Sequence, residues 1–275
     1  MFSPSAARIA EKAGFKALYF SGAAFSGLLA LPDLGMVTLP EVAKATYDIS
    51  TQVRVPLIVD ADTGYGEAVN VSRAVGMLKA SGAAALHIED QVMPKRCGHL
   101  EGKELVGTDE MVKKVAVAKS EAESEILVIA RTDARSVEGF DSAVERALAY
   151  SKAGADMVFP EALQSASEFA EFRRRVSGPL VANMTEFGKT PYMKTSEFEE
   201  LGYSIVLFPV TAFRAAMKTV EATFNRLKRE GTQKEMLDSL MSREEFYDLI
   251  DYHRYEQMDR RGNDAAEALR KKQRK

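Results

Sequence analysis

Short apolar segments alternate with amphipathic segments along most of this chain, and this alternation limits the possible folds more than any other feature. Seven segments rich in β-branched or aromatic residues, bounded by Gly, Pro or charge, are predicted strands: 17–21, 56–60, 84–89, 126–131, 157–160, 180–183 and 205–208. They show no polar alternation, which is typical of strands buried on both faces. The predicted helices between them are 39–52, 67–80, 108–120, 141–153, 165–176 and 195–201.

Regular alternation of strand and helix predicts a parallel sheet. Glycine, which commonly ends a helix, precedes several of the strands: Gly14, Gly82, Gly154 and Gly202. No Gly-, Ser- or Pro-rich linker divides the 275 residues, and α/β barrels often reach this length as one domain. We therefore predict an α/β fold, a TIM-type (β/α)8 barrel in a single domain spanning residues 1–275.

Only helices are predicted after the last strand, at 211–227 and 242–267. The second is too amphipathic to stand alone in water, and its apolar residues include Tyr247, Leu249, Ile250 and Tyr252. We expect the C-terminal segment 211–275 to pack on a neighbouring subunit.

Composition excludes several classes of function. The net charge of −3 gives no reason to expect nucleic acid or an anionic membrane as a partner, and the basic tail 270–275 is interpreted as a solvated end. A single cysteine rules out an internal disulfide and fits a reducing compartment. The sequence shows no apolar run of membrane-spanning length and no signal-peptide pattern at residues 1–8. We expect a cytoplasmic protein.

Polar groups end almost every predicted strand, and in a parallel barrel the catalytic groups gather at the carboxyl ends of strands. These ends carry Ser21-Gly22, Asp60-Ala61-Asp62, Glu89-Asp90, Arg131-Thr132-Asp133, Glu161, Asn183-Met184-Thr185 and Pro209. A solvated loop would explain one or two such ends but not six. The pattern therefore predicts an active site at this edge of the sheet.

Three carboxylates at this edge predict a metal site. Asp60 and Asp62 are two residues apart, so on an extended chain their side chains share a face, and Glu89 ends the next strand. Oxygen ligands without thiolates or several imidazoles suit Mg²⁺, or Mn²⁺, better than zinc. The alternative is a pair of capping aspartates on the turn that follows at 63–66.

The segment Lys95-Arg96-Cys97-Gly98-His99 places a thiol among cations, in a field that favours thiolate. The alternative for this segment is a solvated basic loop. Arg131, at the end of a strand, could bind an anionic substrate with both guanidinium arms. Its alternative is a salt bridge to Asp133 or Glu161. His87 lies inside its strand and is interpreted as a core or supporting histidine.

Several motifs together resemble the isocitrate lyase/phosphoenolpyruvate mutase superfamily: Ser21-Gly22-Ala23, Leu31-Pro32-Asp33, Asp60-Ala61-Asp62-Thr63-Gly64, His87-Ile88-Glu89-Asp90-Gln91 and Lys95-Arg96-Cys97-Gly98-His99. Four further motifs narrow the resemblance to the branch that cleaves 2-methylisocitrate: Ala130-Arg131-Thr132-Asp133-Ala134, Phe159-Pro160-Glu161-Ala162, Asn183-Met184-Thr185-Glu186-Phe187-Gly188 and Ala212-Phe213-Arg214. The similarity covers nearly the whole chain.

The resemblance implies a Mg²⁺-dependent carbon–carbon lyase of the methylcitrate cycle, in propionate catabolism, that forms pyruvate and succinate. It assigns Asp60, Asp62 and Glu89 to the metal, and it implies a homotetramer with a small di- or tricarboxylate substrate. The catalytic residues that it implies are Cys97, Arg131, Tyr19 and His99. The substrate-binding residues that it implies are Ser21, Gly22, Ala23, Asp33, Lys95, Arg96, Gly98, Glu161, Asn183, Thr185, Arg214 and Arg243.

One departure from the branch concerns the substrate. Residues Leu100-Glu101-Gly102-Lys103 stand where bacterial members read Arg-Pro-Asn-Lys, and the Gly-Lys form looks more like isocitrate lyase or 2,3-dimethylmalate lyase. In the resemblance, Phe159 and Leu207 are apolar positions that face the site, where isocitrate lyases carry bulkier or more polar groups. The resemblance therefore implies space for an extra methyl group, which favours 2-methylisocitrate. The alternatives are therefore another 2-hydroxy-acid lyase of the superfamily or a non-catalytic barrel that binds dicarboxylates.

The predicted strands are one fewer than the eight that such a barrel needs. In the family a strand precedes the helix that corresponds here to residues 4–13, so the missing strand would be the first. We expect a seven-stranded barrel with an open seam beside the strand at 17–21. We also expect the natural start to lie about twenty or more residues upstream of Met1.

Overall fold

Seven parallel strands organise the part of the chain that the computed structural model describes, residues 1–273. In chain order, β1 to β7 are Leu18–Phe20, Leu57–Asp60, Ala85–Glu89, Leu127–Thr132, Met157–Pro160, Val181–Asn183 and Ile205–Leu207. Each lies within one residue of its predicted position at either end. Strands β1 to β5 form one sheet in sequential order, and β6 pairs with β7. A bridge between Val158 and Leu180 joins the two sheets.

The sheet is open between its first and last strands. Within residues 1–273, β1 pairs only with β2 and β7 only with β6. The backbone of Met1 lies beside β1, where its amino group donates to the carbonyl of Tyr19 and its carbonyl accepts from the amide of Ser21 at 3.4 Å. The expected seam is therefore present, and the expectation of an upstream start stays a prediction.

Helices separate the strands as the sequence predicted. In chain order, α1 to α12 are Pro4–Lys12, Gly22–Leu28, Leu39–Ser50, Ala68–Ala80, Thr108–Ala122, Ala134–Val137, Phe140–Lys152, Ala166–Arg175, Thr195–Glu200, Thr211–Glu230, Arg243–Leu249 and Tyr252–Gln273, with a 3₁₀ helix at Lys234–Ser239. The glycines that were predicted to end helices, Gly14, Gly82, Gly154 and Gly202, all have positive φ. The short helices α2 and α6 were not predicted.

Local capping explains where several helices begin. Ser3 Oγ accepts from the amide of Ala6 at 3.2 Å, and Pro4 occupies the first turn of α1, where its missing N–H costs nothing. Thr38 and Glu41 form a reciprocal capping box at the start of α3. Caps of this kind fix the direction in which each helix leaves the sheet.

Apolar side chains fill both sides of the sheet. The inner side is a compact cluster drawn from six strands: Ile58, Ala85, Ile129, Met157, Phe159, Val181 and Leu207. The outer side packs against the helices, with Leu86 and Val128 among its fully buried members. This arrangement buries the strands on both faces, as their uninterrupted apolar sequence predicted.

A buried polar network lies behind the ends of β3 and β4. Asp90 accepts hydrogen bonds from the Tyr150 hydroxyl at 2.8 Å and from the amide of Asp133 at 2.9 Å. Arg146 Nη1 lies 3.4 Å from Asp90 Oδ2, and the same guanidinium pairs with Glu138 at 2.8 Å. The network ties both strand ends to α7.

The chain divides into two compact units, Met1–Ala216 and Met217–Lys275. In the second unit, the helix predicted at 242–267 is two helices, so that prediction was wrong. Asp251 has φ of 54°, a left-handed conformation that ends one helix before the next begins. Tyr247 and Tyr252 stack across this break with ring centroids 4.2 Å apart.

Within the described residues no helix is long and apolar enough to cross a membrane. The single-domain assignment and the packing of residues 211–275 on a neighbouring subunit stay predictions.

Candidate active site

A cavity of about 210 Å³ lies at the carboxyl ends of the strands. Most of the predicted site residues line it: Tyr19, Ser21, Ala23, Asp33, Asp60, Lys95, Arg96, Cys97, Gly98, His99, Arg131, Glu161, Asn183, Thr185 and Arg214. Phe159, Leu207, Pro209 and Val210 form an apolar part of the same wall. The parallel sheet therefore brings together side chains that are far apart in sequence.

Asp60 ends β2 and is held from several sides. Its Oδ2 accepts from the amide of Gly22 at 3.0 Å and from the hydroxyl of Tyr19 at 3.2 Å. Burial would raise the pKa of Asp60, but the neighbouring His87, Lys95 and Arg131 hold it well below its usual range. This carboxylate is therefore ionised at neutral pH and available to a cation.

Asp62 is buried beside the cavity rather than on its wall. Its φ of 47° shows that the chain is not extended here. The expectation that Asp60 and Asp62 share one face of an extended strand was therefore wrong. The two carboxylates nevertheless meet, because a Cβ built on Gly22 would lie 3.0 Å from Asp60 Oδ2 and 3.5 Å from Asp62 Oδ1. Burial raises the pKa of Asp62 to about 6, although Lys95 acts against the rise.

Glu89 completes the carboxylate group at the end of β3. One oxygen, Oε2, lies 3.3 Å from Arg131 Nε, while Oε1 is buried without a hydrogen-bond partner among the described residues. Burial raises the pKa of Glu89 well above its ordinary value. A leftover buried oxygen of this kind is suited to a water molecule or a cation.

The donor set fits Mg²⁺ bound largely through water. Within residues 1–273 no three His, Cys, Asp or Glu side chains converge enough to hold an ion by themselves. Mg²⁺ usually keeps several waters and binds proteins through one or two carboxylates, so this arrangement agrees with its chemistry. Gly22 makes room between the carboxylates that any larger residue would fill.

Arg131 is fixed at the end of β4 by three carboxylates. Nε lies 2.9 Å from Asp133 Oδ2, Nη2 donates to Asp133 Oδ1 at 3.2 Å, and Nη1 lies 3.3 Å from Glu161 Oε2. Its third partner is Glu89, and its guanidinium also lies 5.2 Å from the ring centre of Phe159. The ion pairs weighed as the alternative are thus present, and they hold a charged group rigidly against the cavity wall.

Residues 92–104, which we term the thiol loop, carry Cys97 into the cavity. The loop leaves and rejoins the fold where Gln91 and Leu105 form an antiparallel bridge. The side chain of Gln91 binds both the amide and the carbonyl of Arg96 at 2.8 Å. These bonds fix the base of the loop next to the end of β3.

The expectation of a thiolate at Cys97 was wrong. Burial raises the pKa of the Cys97 thiol and the negative charges of Glu161 and Asp33 add to this effect, although the backbone of His99 and the charge of Arg131 act against it. Lys95 does not offset them, because its ammonium is paired with Asp33 and lies 2.9 Å from Asp62 Oδ1. The thiol therefore keeps its proton at neutral pH.

His99 links the thiol loop to the loop that follows β6. Its Nε2 lies 2.9 Å from Glu161 Oε1, and its Nδ1 accepts from the amide of Lys189 at 3.0 Å. Asn183, at the end of β6, donates to both oxygens of Glu161 at 3.2 Å. A Cβ on Gly188 would lie 2.6 Å from His99 Nδ1, so this close approach requires glycine.

Other predicted residues have different places. Gly22 supports Asp60 from behind the wall, and Arg243 is the exposed first residue of α11, in the second unit. His87, interpreted as a supporting histidine, is buried with Nε2 2.8 Å from the Tyr19 hydroxyl. Sequence reasoning missed the contacts of Lys103, which is 7% exposed. A lysine inside a Gly-rich polar loop gives no signal of burial.

Known proteins match the chain along most of its length. Residues 1–228 match the family model described as phosphoenolpyruvate phosphomutase. The 2-methylisocitrate lyase of Aeropyrum pernix is 57% identical over 98% of this chain and 87% of its own length. The 2-methylisocitrate lyase of Bacillus subtilis is 48% identical over 93% and 84%. A solved structure of 2,3-dimethylmalate lyase, 36% identical, covers 95% of this chain and 88% of its own with a TM-score of 0.89.

Parallel strand ends that surround an arginine, a thiol and several carboxylates define a barrel-type enzyme for small carboxylate substrates. With the matches just described, the chain belongs to the phosphoenolpyruvate mutase/isocitrate lyase superfamily and has the activity of its lyases. The resemblance seen in the motifs is thereby confirmed.

Proposed function

We propose that the chain cleaves 2-methylisocitrate to pyruvate and succinate, and so acts in the methylcitrate cycle of propionate catabolism. The observation that carries the proposal is a protonated thiol, Cys97, in the same cavity as a fixed arginine, Arg131, and the carboxylate Asp60. Relatives 48–57% identical to the chain carry the name of this activity.

The cavity offers separate places for the parts of a tricarboxylate. The β1–α2 turn presents Ser21, where α2 begins, and Thr185 lines the cavity after the end of β6. Phe159 and Leu207 supply an apolar wall that accommodates the methyl group. A methyl pocket contributes only about 1–3 kcal/mol of discrimination, so related substrates should react slowly rather than not at all.

Asp60, Asp62 and Glu89 would hold Mg²⁺, with Mn²⁺ as a substitute, directly or through water. When bound, the ion supplies positive charge that lowers the pKa of the substrate hydroxyl and offsets the charge on the forming pyruvate. The chain's own residues keep these carboxylates in place: Gly22 and Tyr19 donate to Asp60, and Arg131 fixes one oxygen of Glu89.

Cleavage then follows a retro-aldol course. The hydroxyl of the substrate passes its proton to a water molecule, the adjacent C–C bond breaks, and the electrons of that bond pass to the dicarboxylate fragment as an enolate. Arg131, charged and held by its ion pairs, stabilises that negative charge as it develops. Cys97 Sγ donates its proton to the enolate carbon to give succinate, and the thiolate regains a proton from solvent.

The thiol loop excludes water while this happens. Gly98 lies so close to the wall that a Cβ there would be 2.3 Å from Glu161 Cγ and 2.7 Å from Arg131 Nη2. A loop seated this closely covers the reacting centre and protects the enolate from stray protonation.

A coupled assay for pyruvate release tests the proposal. Purified protein should release pyruvate from 2-methylisocitrate with Mg²⁺ and lose activity in EDTA. A panel of 2-methylisocitrate, 2,3-dimethylmalate, isocitrate and oxaloacetate, ranked by kcat/KM, identifies the substrate. 2,3-Dimethylmalate is the second candidate because a lyase of that substrate shares the fold at 36% identity. A higher kcat/KM for any other member would reject 2-methylisocitrate as the substrate.

A further inference from the structure

Lys103 is a buried residue of the thiol loop that holds the loop against the end of β4. Its side chain is 1% exposed, its ammonium donates to the carbonyl of Gly98, and it lies 3.4 Å from Asp133 Oδ1. Asp133 is itself completely buried. A lysine so deeply buried is rare unless it is paired, and here the pairing joins the loop to the end of β4.

The contacts of Lys103 form part of a closed ring of interactions that begins and ends at the two residues after Cys97. From Gly98 the ring passes through Lys103 to Asp133, and Asp133 binds Arg131 through both carboxylate oxygens. Arg131 then contacts Glu161, which pairs with His99, the residue that follows Gly98 in the chain. The two residues that directly follow Cys97 are thereby both anchored, Gly98 through its carbonyl and His99 through its ring.

We infer that Lys103 is a positioning residue: it sets the distance between the Cys97 thiol and the substrate held at Arg131. The inference rests on the proposed role of Cys97 as proton donor. Lys103 does not line the cavity, so it acts through the backbone of Gly98 rather than on the substrate. Because Asp133 pairs with both Lys103 and Arg131, the same carboxylate fixes the position of the thiol loop and of the anion-binding arginine.

Loss of the ammonium should release the loop without unfolding the barrel. In Lys103→Met the carbonyl of Gly98 loses its donor and Asp133 keeps Arg131 as its partner. A misplacement of about 1 Å at a reacting centre costs about 100-fold in rate, so we expect kcat to fall by about that factor. The affinity for succinate, measured by calorimetry, should change by less than about threefold, since the groups that line the cavity remain.

Alkylation of Cys97 by iodoacetamide gives a readout that does not depend on turnover. The half-buried thiol of the wild type should react slowly, because burial raises its pKa. In Lys103→Met the released thiol is more open to solvent and should react about tenfold faster at pH 8. This measurement stands even if the true substrate is another carboxylate, whereas wild-type pyruvate release tests the proposed function separately.

Two further variants make the test specific. Lys114→Met is the matched control, since Lys114 is similarly buried, with a side chain 7% exposed, and pairs with Glu110 on α5 away from the cavity. It should leave both kcat and the alkylation rate unchanged. Lys103→Arg keeps a cation and should retain kcat within about tenfold of the wild type. If Lys103→Met does not fold, Lys103→Gln, which is neutral but keeps an N–H donor, replaces it and should show smaller changes in the same direction.

The inference is overturned if Cys97 in the neutral Lys103 variant reacts with iodoacetamide at the wild-type rate, whatever happens to kcat. It is also overturned if Lys114→Met lowers kcat as much, because the effect would then be one of general stability.

Discussion

The ammonium of Lys95 lies 2.9 Å from Asp62 Oδ1 and donates to Asp33 as well. A cation therefore already compensates the carboxylate that we assign to Mg²⁺, and the same lysine belongs to the thiol loop. The arrangement connects occupancy of the carboxylate site with the position of the loop that carries Cys97.

Asp62→Ala should abolish turnover and leave the fold intact. The substitution removes a carboxylate that burial makes costly to ionise, and Asp33 remains as the partner of the Lys95 ammonium, so the melting temperature should change little. Pyruvate release and thermal denaturation measure the two effects, and Asp48→Ala, at an exposed ion pair with Lys44, is the control. Full activity after exhaustive dialysis against EDTA would contradict the metal requirement.

Cys97→Ser should lose most of kcat, about 10²- to 10⁴-fold, because a hydroxyl is a far weaker acid than the thiol. The variant should still bind succinate, because the other residues that line the cavity are unchanged, and calorimetry measures this affinity. In the wild type, kcat should stay level from pH 7 to about 9 and fall only above that range, because burial raises the thiol pKa above its ordinary value of 9.0 and the acid must be protonated. A serine variant with near wild-type kcat would remove Cys97 from the mechanism.

Gly98→Ala should lower kcat by about 100-fold, because its methyl group would overlap Glu161 and Arg131 and push the loop outward. Gly107→Ala is the matched control. Gly107 is exposed, and a Cβ there meets no atom within 4 Å in the described part of the chain. Gly107→Ala should lower the stability by at most about 1 kcal/mol, because Gly107 is the N-cap residue of α5. Its kcat should be unchanged. Equal kcat losses in the two variants would show that the close approach of Gly98 is not needed.

The positions of strands were predictable because each apolar run in this chain ends at a polar or charged side chain, a proline or a glycine. The same rule located Asp60, Glu89 and Arg131 at one edge of the sheet. What the sequence could not show is how charges pair once they are buried. Lys95 and Cys97 are neighbours in sequence, yet Lys95 turns to Asp33 and Asp62, so the thiol stays protonated.

Backbone conformation was the other source of error. Asp62 and Asp251 both adopt left-handed conformations, with φ of 47° and 54°. Aspartate tolerates this conformation, but its presence in a sequence does not predict it. The first changed the reason why two carboxylates meet, and the second divided a predicted helix. Neither follows from hydrophobic periodicity, since each depends on one residue.

Tyr150→Phe should destabilise the protein by about 1–3 kcal/mol, because Asp90 loses a buried donor at 2.8 Å. Thermal or urea denaturation measures the change. Tyr47→Phe, at a tyrosine 57% exposed on α3, should have no measurable effect. Equal stability of the two variants would show that water replaces the lost hydroxyl at Asp90.

Sedimentation at micromolar concentration should give a tetramer. None of the residues of α10 is buried, and one of its faces carries Met217, Val220 and Phe224, the last 67% exposed. Phe224→Glu should shift the protein to smaller species, because a charge would be buried in the interface. Ala222→Glu, on the opposite side of the same helix, should leave the tetramer intact. A monomeric wild type would reject the prediction.

The ring of contacts through Gly98, Lys103, Asp133, Arg131 and Glu161 also limits how this enzyme can diverge. Each member touches the next, so mutations within the ring are expected to be strongly non-additive and most single steps should reduce fitness. In the apolar wall, Phe159 lies against the guanidinium of Arg131, whereas the side chain of Leu207 has no hydrogen bond or ion pair to lose. Selection for a new substrate would therefore find its accessible routes along that wall, while the charged ring stays fixed.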